Sequence, residues 1–176
     1  MSDAPDPVSD AEAYRAYLLG ALGSDDPAEA QATTVAAMRA LVAEAGPHLR
    51  TRPEEGEWSA LECLGHILDS ELVVAARVRW ILAEDQPDIV GYDQALWVAR
   101  LEHGNDDPEA VIAFFEALRT ANLALWARRS QADRDRFGLH RERGPESYEL
   151  TFRLAAGHDR VHLDQARAAL DAASPR

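Results

Sequence analysis

The sequence predicts an all-α protein: a four-helix bundle with a short extra N-terminal helix and a long connector between the second and third long helices. Three observations predict it. Apolar residues recur at spacings of three and four over four long stretches, the signature of amphipathic helices. Those stretches open on capping residues, Asp26-Pro27, Ser59, Asp107-Pro108 and Ser147. No strand-like alternation and no internal repeat interrupts them, and long amphipathic helices joined by unequal connectors make a bundle the economical architecture.

Residues 1–9 read as a disordered leader, acidic and broken by Pro5 and Pro7, and one domain is expected over 10–173. Tyr14, Tyr17, Leu18 and Leu22 mark a short helix closed by Gly23. A longer helix starts at Asp26-Pro27, carries Val35, Met38, Leu41, Val42 and Ala45, and stops at Gly46-Pro47. Ser59 and Glu62 form a capping-box signature, with Trp58 placed to staple against Cys63. The helix they start is expected to run to about residue 84, with Leu61, Leu64, Leu68, Leu72, Ala75 and Leu82 along one stripe. Residues 87–106 form the long connector, of a length that often carries function. The third long helix begins at Asp107-Pro108, presents Val111, Phe114, Phe115, Leu118, Leu125 and Trp126 to the core, and fades near Arg128. A charged loop then leads to the last helix, 148–172, capped by Ser147.

The composition bounds the function classes. At 176 residues, 47% hydrophobic and 28% charged, the chain is long enough to bury a core without disulfides, and its single cysteine, Cys63, permits no intrachain bridge. The N-terminus has neither a basic region nor an apolar stretch, and no uninterrupted apolar run approaches the roughly 20 residues of a membrane span, so a cytoplasmic protein without membrane contact is expected. The formal charge is −13, and all 18 basic residues are arginine. An acidic surface without a basic stripe argues against nucleic-acid partners. The absence of lysine excludes lysine Schiff-base chemistry.

His158 and His162 lie four apart and share one helix face with Thr151, Leu154, Ala155 and Ala169. Two inward imidazoles at that spacing either share hydrogen-bond partners or chelate one metal ion. His66, deep in the helix that follows Ser59, completes a three-histidine site most economically, because bundles assemble metal sites from facing helices. Three neutral imidazoles leave an open coordination position, the catalytic arrangement. Zinc suits these ligands, and nickel, manganese or cobalt do too. His48 and His103 sit in connectors and read as solvated surface residues. His140 is open between a loop role and a substrate or ligand-orienting contact. Cys63 reads as a small buried residue in preference to a fourth ligand. Glu71 falls inside an aliphatic stripe, where it needs either an arginine of another helix or a raised pKa that suits a general base near the metal. Asp69 and Asp159 read as orienting imidazoles or facing solvent.

Four segments taken in order resemble the DinB/YfiT-like family of four-helix metalloenzymes. They are Glu57-Trp58-Ser59 with Gly65-His66-Ile67-Leu68-Asp69-Ser70-Glu71; Gly91-Tyr92-Asp93-Gln94 with Trp97; His140-Arg141-Glu142-Arg143-Gly144; and Ala156-Gly157-His158-Asp159-Arg160-Val161-His162-Leu163-Asp164-Gln165. The resemblance covers about residues 53–170 and implies metal ligation by His66, His158 and His162, the set that spacing suggests. It also implies activities: characterised members include S-transferases using bacillithiol, mycothiol or glutathione and a thiol-dependent maleylpyruvate isomerase. Relatives suggest a homodimer.

The leading expectation is therefore a metal-dependent thiol S-transferase that joins a low-molecular-weight thiol to a small-molecule electrophile. Arg141 and Arg143 are candidate anchors for the thiol's carboxylates, set against a loop ion pair with Glu142. Tyr92 and Trp97 are candidate pocket walls, set against plain core packing. Two alternatives stand beside it: a hydrolase using a metal-bound hydroxide, and a non-catalytic stress-response binding protein.

Overall fold

Capping chemistry places the helix starts. The computed structural model describes residues 5–6 and 9–173; the remainder of the expected 1–9 leader lies outside the described residues. Helix α1 spans Ala11–Leu22 and ends at Gly23. Asp26 accepts from the Ala28 and Glu29 amides at 2.8 and 3.0 Å and starts α2, Pro27–Ala32. The single helix expected from Asp26 to Gly46 is two: the chain breaks at Thr33 and resumes as α3, Thr34–Ala45. Thr33 donates its hydroxyl to the Ala30 carbonyl at 2.8 Å, a local bond that competes with the helical ladder. Helix α4, Ala60–Ala83, opens on the complete capping box of Ser59 and Glu62.

Helices α4 and α6 (Pro108–Ala127) run in the same direction. Leu61 and Leu64 share one core cluster with Val111, Ile112 and Phe115, whereas Val74, Val78 and Ile81 share another with Leu125 and Trp126. Helix α8, Tyr148–Ala173, runs the other way, with Phe152 and Ala155 at the Val78 end and Ala166 and Leu170 at the Leu61 end. Met38, Leu41 and Ala45 of α3 pack at the Leu61 end as well. Two successive parallel helices oblige the chain to return the length of α4, about 36 Å at 1.5 Å per residue. That return journey is the physical reason for the long connector.

The connector carries β1 (Asp88–Ile89), α5 (Gln94–Arg100, capped by Asp93) and a 3-10 turn, His103–Asn105. After α6 come α7 (Gln131–Arg134) and a hairpin of β2 (Phe137–His140) and β3 (Gly144–Ser147). The charged loop expected here is thus part of a small sheet. Strand β2 pairs parallel with β1, Asp88 opposite Leu139, and antiparallel with β3, Gly138 opposite Glu146. Strands this short, holding Gly138 and Pro145, carry no apolar alternation for sequence reading to detect.

Leu72 and Phe114, expected on inward stripes, are 41% and 49% exposed. Each adjoins a buried residue, Glu71 and Phe115, and the 100° turn between neighbours carries Leu72 and Phe114 to the solvent side of their helices. Helix α6 is long and apolar enough by composition to cross a membrane, yet here Val111, Ile112, Phe115, Leu125 and Trp126 are buried in the bundle.

Helix α1 packs across α8, with Tyr14 and Leu18 against Leu154. The crossing is made at Gly157, where an added Cβ would stand 2.0 Å from the Leu18 carbonyl oxygen. Arg160 donates to the Ala21 and Leu22 carbonyls at 3.0 Å each, satisfying the open end of α1. The face of α8 that carries Arg160 is therefore partly covered by α1.

Candidate metal centre

Helices α4 and α8 cross where His66 faces His158 and His162. All three imidazoles are buried, and one ligand nitrogen from each lies within 4.8 Å of the others. The His66 and His158 Nε2 atoms approach to 3.0 Å. Gln165, one turn beyond His162, accepts a 2.8 Å hydrogen bond from His162 Nδ1, which leaves the His162 Nε2 lone pair free and fixes the ring. Trp58 packs on His66 and His162 with ring centroids at 5.1 and 6.1 Å.

Burial sets the protonation of the cluster. It pulls His66 and His158 well below the ordinary histidine value, with the neighbouring imidazoles adding to the effect. His162 is brought down to about 4 by burial, against the opposing hydrogen bond to Gln165. All three are neutral at pH 7 and present lone pairs, the state metal ligation needs. Two Nε2 lone pairs at 3.0 Å require a proton or a cation between them, and the Nδ1 atoms of His66 and His158 are buried without partners. Three neutral imidazoles with a shared focus fit a divalent metal ion.

Beside the cluster lies a polar hub that sequence reading did not assemble. Arg119 of α6 donates from Nε and Nη2 to the Glu71 carboxylate at 3.0 and 2.9 Å, and from Nη1 to Asp159 at 2.7 Å and to the Gln31 carbonyl at 3.2 Å. Asn122 donates to Glu71 at 2.8 Å and Thr34 to Asp159 at 2.8 Å. Of the two readings open for Glu71, the structure supplies the arginine of another helix. Burial works against the Arg119 charge, yet Asp159 and Glu71 hold its pKa above the ordinary arginine value. Asp159 is buried and hydrogen-bonds to Thr34 and Arg119 instead of an imidazole. The signal was present: Phe115, Arg119, Asn122 and Trp126 recur at helical spacing on one buried face.

His103 is not a surface residue. It is 5% exposed, its Nε2 2.8 Å from Asp69 and its Nδ1 2.7 Å from Asp106. Its ring lies over Gly65, where an added Cβ would meet Cγ at 2.5 Å. Asp69 thus orients His103 and not a histidine of the cluster. Cys63 is buried in the aliphatic core, and burial pushes its thiol well above the ordinary value. His48 is half-buried.

A cavity of about 550 Å³ opens on the centre through His158 and Trp58. It runs along one face of α4, past Ser70 and Val74 to Arg77, and is closed by residues of the connector and the hairpin. Tyr92 lines it, and burial raises the pKa of its hydroxyl. Trp97 packs against Tyr92, tilted, with ring centroids 4.5 Å apart, but does not itself line the cavity. His140 and Arg143 line it; Arg141 is exposed and does not. Strand alternation accounts for His140, since residues 138 and 140 face inward and 139 faces out, whereas Arg141 and Arg143 belong to the turn between β2 and β3. Arg143 pairs with Glu146, not Glu142, through Nε at 3.0 Å and Nη2 at 2.8 Å. Buried His140 is drawn down to about 4 by desolvation, with Arg143 contributing. Arg77 was missed, although its spacing from His66, Ser70 and Val74 puts it on the same face of α4.

The profile of the DinB superfamily matches residues 25–166. Two proteins of Oceanobacillus iheyensis, each named "Putative metal-dependent hydrolase", are 26% identical over 116 residues and 29% identical over 115. The alignments cover 66% and 65% of this chain, and each spans 66% of the relative's own length, just under two thirds. A solved structure of YfiT from Bacillus subtilis, described as a probable metal-dependent hydrolase with an unusual four-helix bundle topology, superposes with a TM-score of 0.75. That similarity covers 81% of this chain and 83% of YfiT at 20% identity, and speaks to the fold.

Proposed function

This chain belongs to the DinB superfamily, and on that premise we propose a metal-dependent enzyme in which His66, His158 and His162 hold one divalent ion. The convergence of three buried, neutral imidazoles at the mouth of a cavity carries the reading. Zinc is the first choice by ligand type, with nickel, manganese and cobalt compatible. When bound, such an ion supplies Lewis acidity and lowers the pKa of a coordinated water or thiol. The chain does the rest. Gln165 holds the His162 ring, Trp58 shields the cluster on one side, and the cavity brings a small molecule against His158.

For the reaction itself we favour transfer of a low-molecular-weight thiol to an electrophile. Hydrolysis calls for a general base within hydrogen-bond reach of the attacking water. Three buried carboxylates close to the histidines in sequence are committed elsewhere, Asp69 to His103 and both Glu71 and Asp159 to Arg119, and Asp164 is exposed. A thiol whose pKa is lowered arrives as its nucleophilic anion without a protein base. Cys63, buried in the core, offers no competing nucleophile. Hydrolysis is the second reading, favoured by the names of the Oceanobacillus relatives.

Protein purified without an affinity tag should carry close to one divalent metal per chain by elemental analysis, and a His158→Ala variant should carry almost none. Native protein that holds no metal and rebinds none would end both enzymatic readings. The metal-loaded protein is then assayed on a model electrophile with and without bacillithiol, mycothiol or glutathione. Thiol-dependent consumption is expected, and turnover in the absence of any thiol would leave hydrolysis as the function.

A further inference from the structure

We propose that the end of the cavity remote from the histidines is a carboxylate-binding subsite built by Arg77 and His140, so that the substrate has an apolar body bearing one carboxylate. The placement of that substrate's other end at His158 rests on the metal-centre reading above; the subsite itself does not.

Arg77 is 8% exposed and lines the cavity. Its Nη2 donates to the Val90 carbonyl at 2.9 Å, while its Nε is buried with no hydrogen-bond partner. No carboxylate among the described residues forms an ion pair with it. Arg143 next to it is paired with Glu146, and Glu146 and Glu142 act on Arg77 only at a distance, so this guanidinium has no direct carboxylate partner. A guanidinium stays charged in any protein environment, and a buried charge needs a counter-charge.

His140 is 3% exposed and lines the same end of the cavity. Its Nδ1 accepts from the Glu142 backbone N–H at 3.3 Å; the Glu142 carboxylate stands 3.2 Å from that nitrogen without the alignment of a hydrogen bond. The ring proton of the neutral imidazole is therefore on Nε2, which is buried and unpartnered. Arg77 and His140 thus line one cavity, and each holds a buried N–H that lacks an acceptor. The cavity lining sets Asp6, Asp93, Glu142 and Glu146 against Arg15, Arg77 and Arg143, so a single carboxylate is a better match for these donors than a dianionic phosphate. Between this end and Trp58 the lining is supplied by Leu18, Val74, Leu154 and Ala155, which suits an apolar body. His66 and Arg77 are separated by about 16 Å of helix rise, a span that admits a metal-directed group and a carboxylate at opposite ends.

The test is calorimetric titration of hexanoate and its neutral isostere hexanamide into metal-free and metal-loaded protein. Wild-type protein in both forms is expected to prefer hexanoate by about tenfold or more, the worth of a charge-assisted hydrogen bond. Arg77→Gln should bring the two ligands to parity, and the wild-type comparison stands even where that variant folds poorly. Equal affinity of the wild type for both ligands, or no binding of either, overturns the subsite whatever the metal content. Tighter binding of hexyl phosphate than of hexanoate overturns the carboxylate assignment. Absence of metal by elemental analysis, with hexanoate selectivity intact, would sink the metal-centre reading alone.

Discussion

Replacing Arg119 with methionine removes the one cation that Glu71 and Asp159 share, leaving two carboxylates buried beside the histidine cluster. Five residues, one each from α2, α3, α4, α6 and α8, converge on this hub around Arg119, so the substitution strikes five helices at one level. Removing one partner of a buried ion pair costs about 3–5 kcal/mol, far more than the pair contributes relative to an apolar replacement. In a chain of this size each kcal/mol moves Tm by about 2–4 °C, so Arg119→Met is expected to lower Tm by roughly 6–20 °C. Circular dichroism melts of chelated protein at pH 7 measure this without a contribution from metal. Burial already pushes the Glu71 carboxyl above its ordinary value with Arg119 in place. Without the arginine, its ionisation opposes folding more strongly, so the deficit should be smaller at pH 5 than at pH 8. Adding Glu71→Gln and Asp159→Asn to Arg119→Met should restore part of the loss. A variant melting within about 2 °C of wild type, or a triple variant no more stable than Arg119→Met, would refute the reasoning.

Gly157→Ala forces a methyl group onto the Leu18 carbonyl, which is backbone and cannot rotate away; a loss of about 1–3 kcal/mol in urea denaturation is expected, and a neutral result would show that α1 is loosely held. His103 has its pKa raised chiefly by the hydrogen bond to Asp69, with burial opposing and Asp106 assisting. A group whose folded pKa exceeds its unfolded value stabilises fully below the unfolded value, about 6.5, and loses that contribution as pH rises through the folded one. The stability difference between wild type and His103→Gln should therefore be larger at pH 6 than at pH 9 in urea melts, and a difference that grows toward pH 9 would reverse the assignment.

Much of the site was legible because its signals are local. The capping box of Ser59 and Glu62 depends on a three-residue spacing, and both of its bonds form. The face shared by His158 and His162 follows from 3.6 residues per turn, and His66 stands out as the other histidine deep in a long helix. Less local properties were hidden. Arg77 and Arg119 sit at helical spacings that mark an inward face, but an inward arginine gains meaning only from the group opposite it. His103 looked solvated beside Gly104 and Asp106, because its partner Asp69 lies 34 positions away. The hairpin holding His140 is made by backbone pairing of β2 with β3 and is joined to β1 in the same way, which composition does not record.

The amino-acid sequence by itself determined the capped starts of α2, α4, α6 and α8, the all-α bundle and the three histidines, since each is written in short-range periodicity and capping. Only the tertiary structure decided that Glu71 and Asp159 are locked by Arg119, that Arg141 faces away while Arg77 faces in, and that the cavity opens at His158. Those outcomes depend on which helix faces which. The parallel run of α4 and α6, with the long return it imposes, is a property of the packed chain and of no single segment.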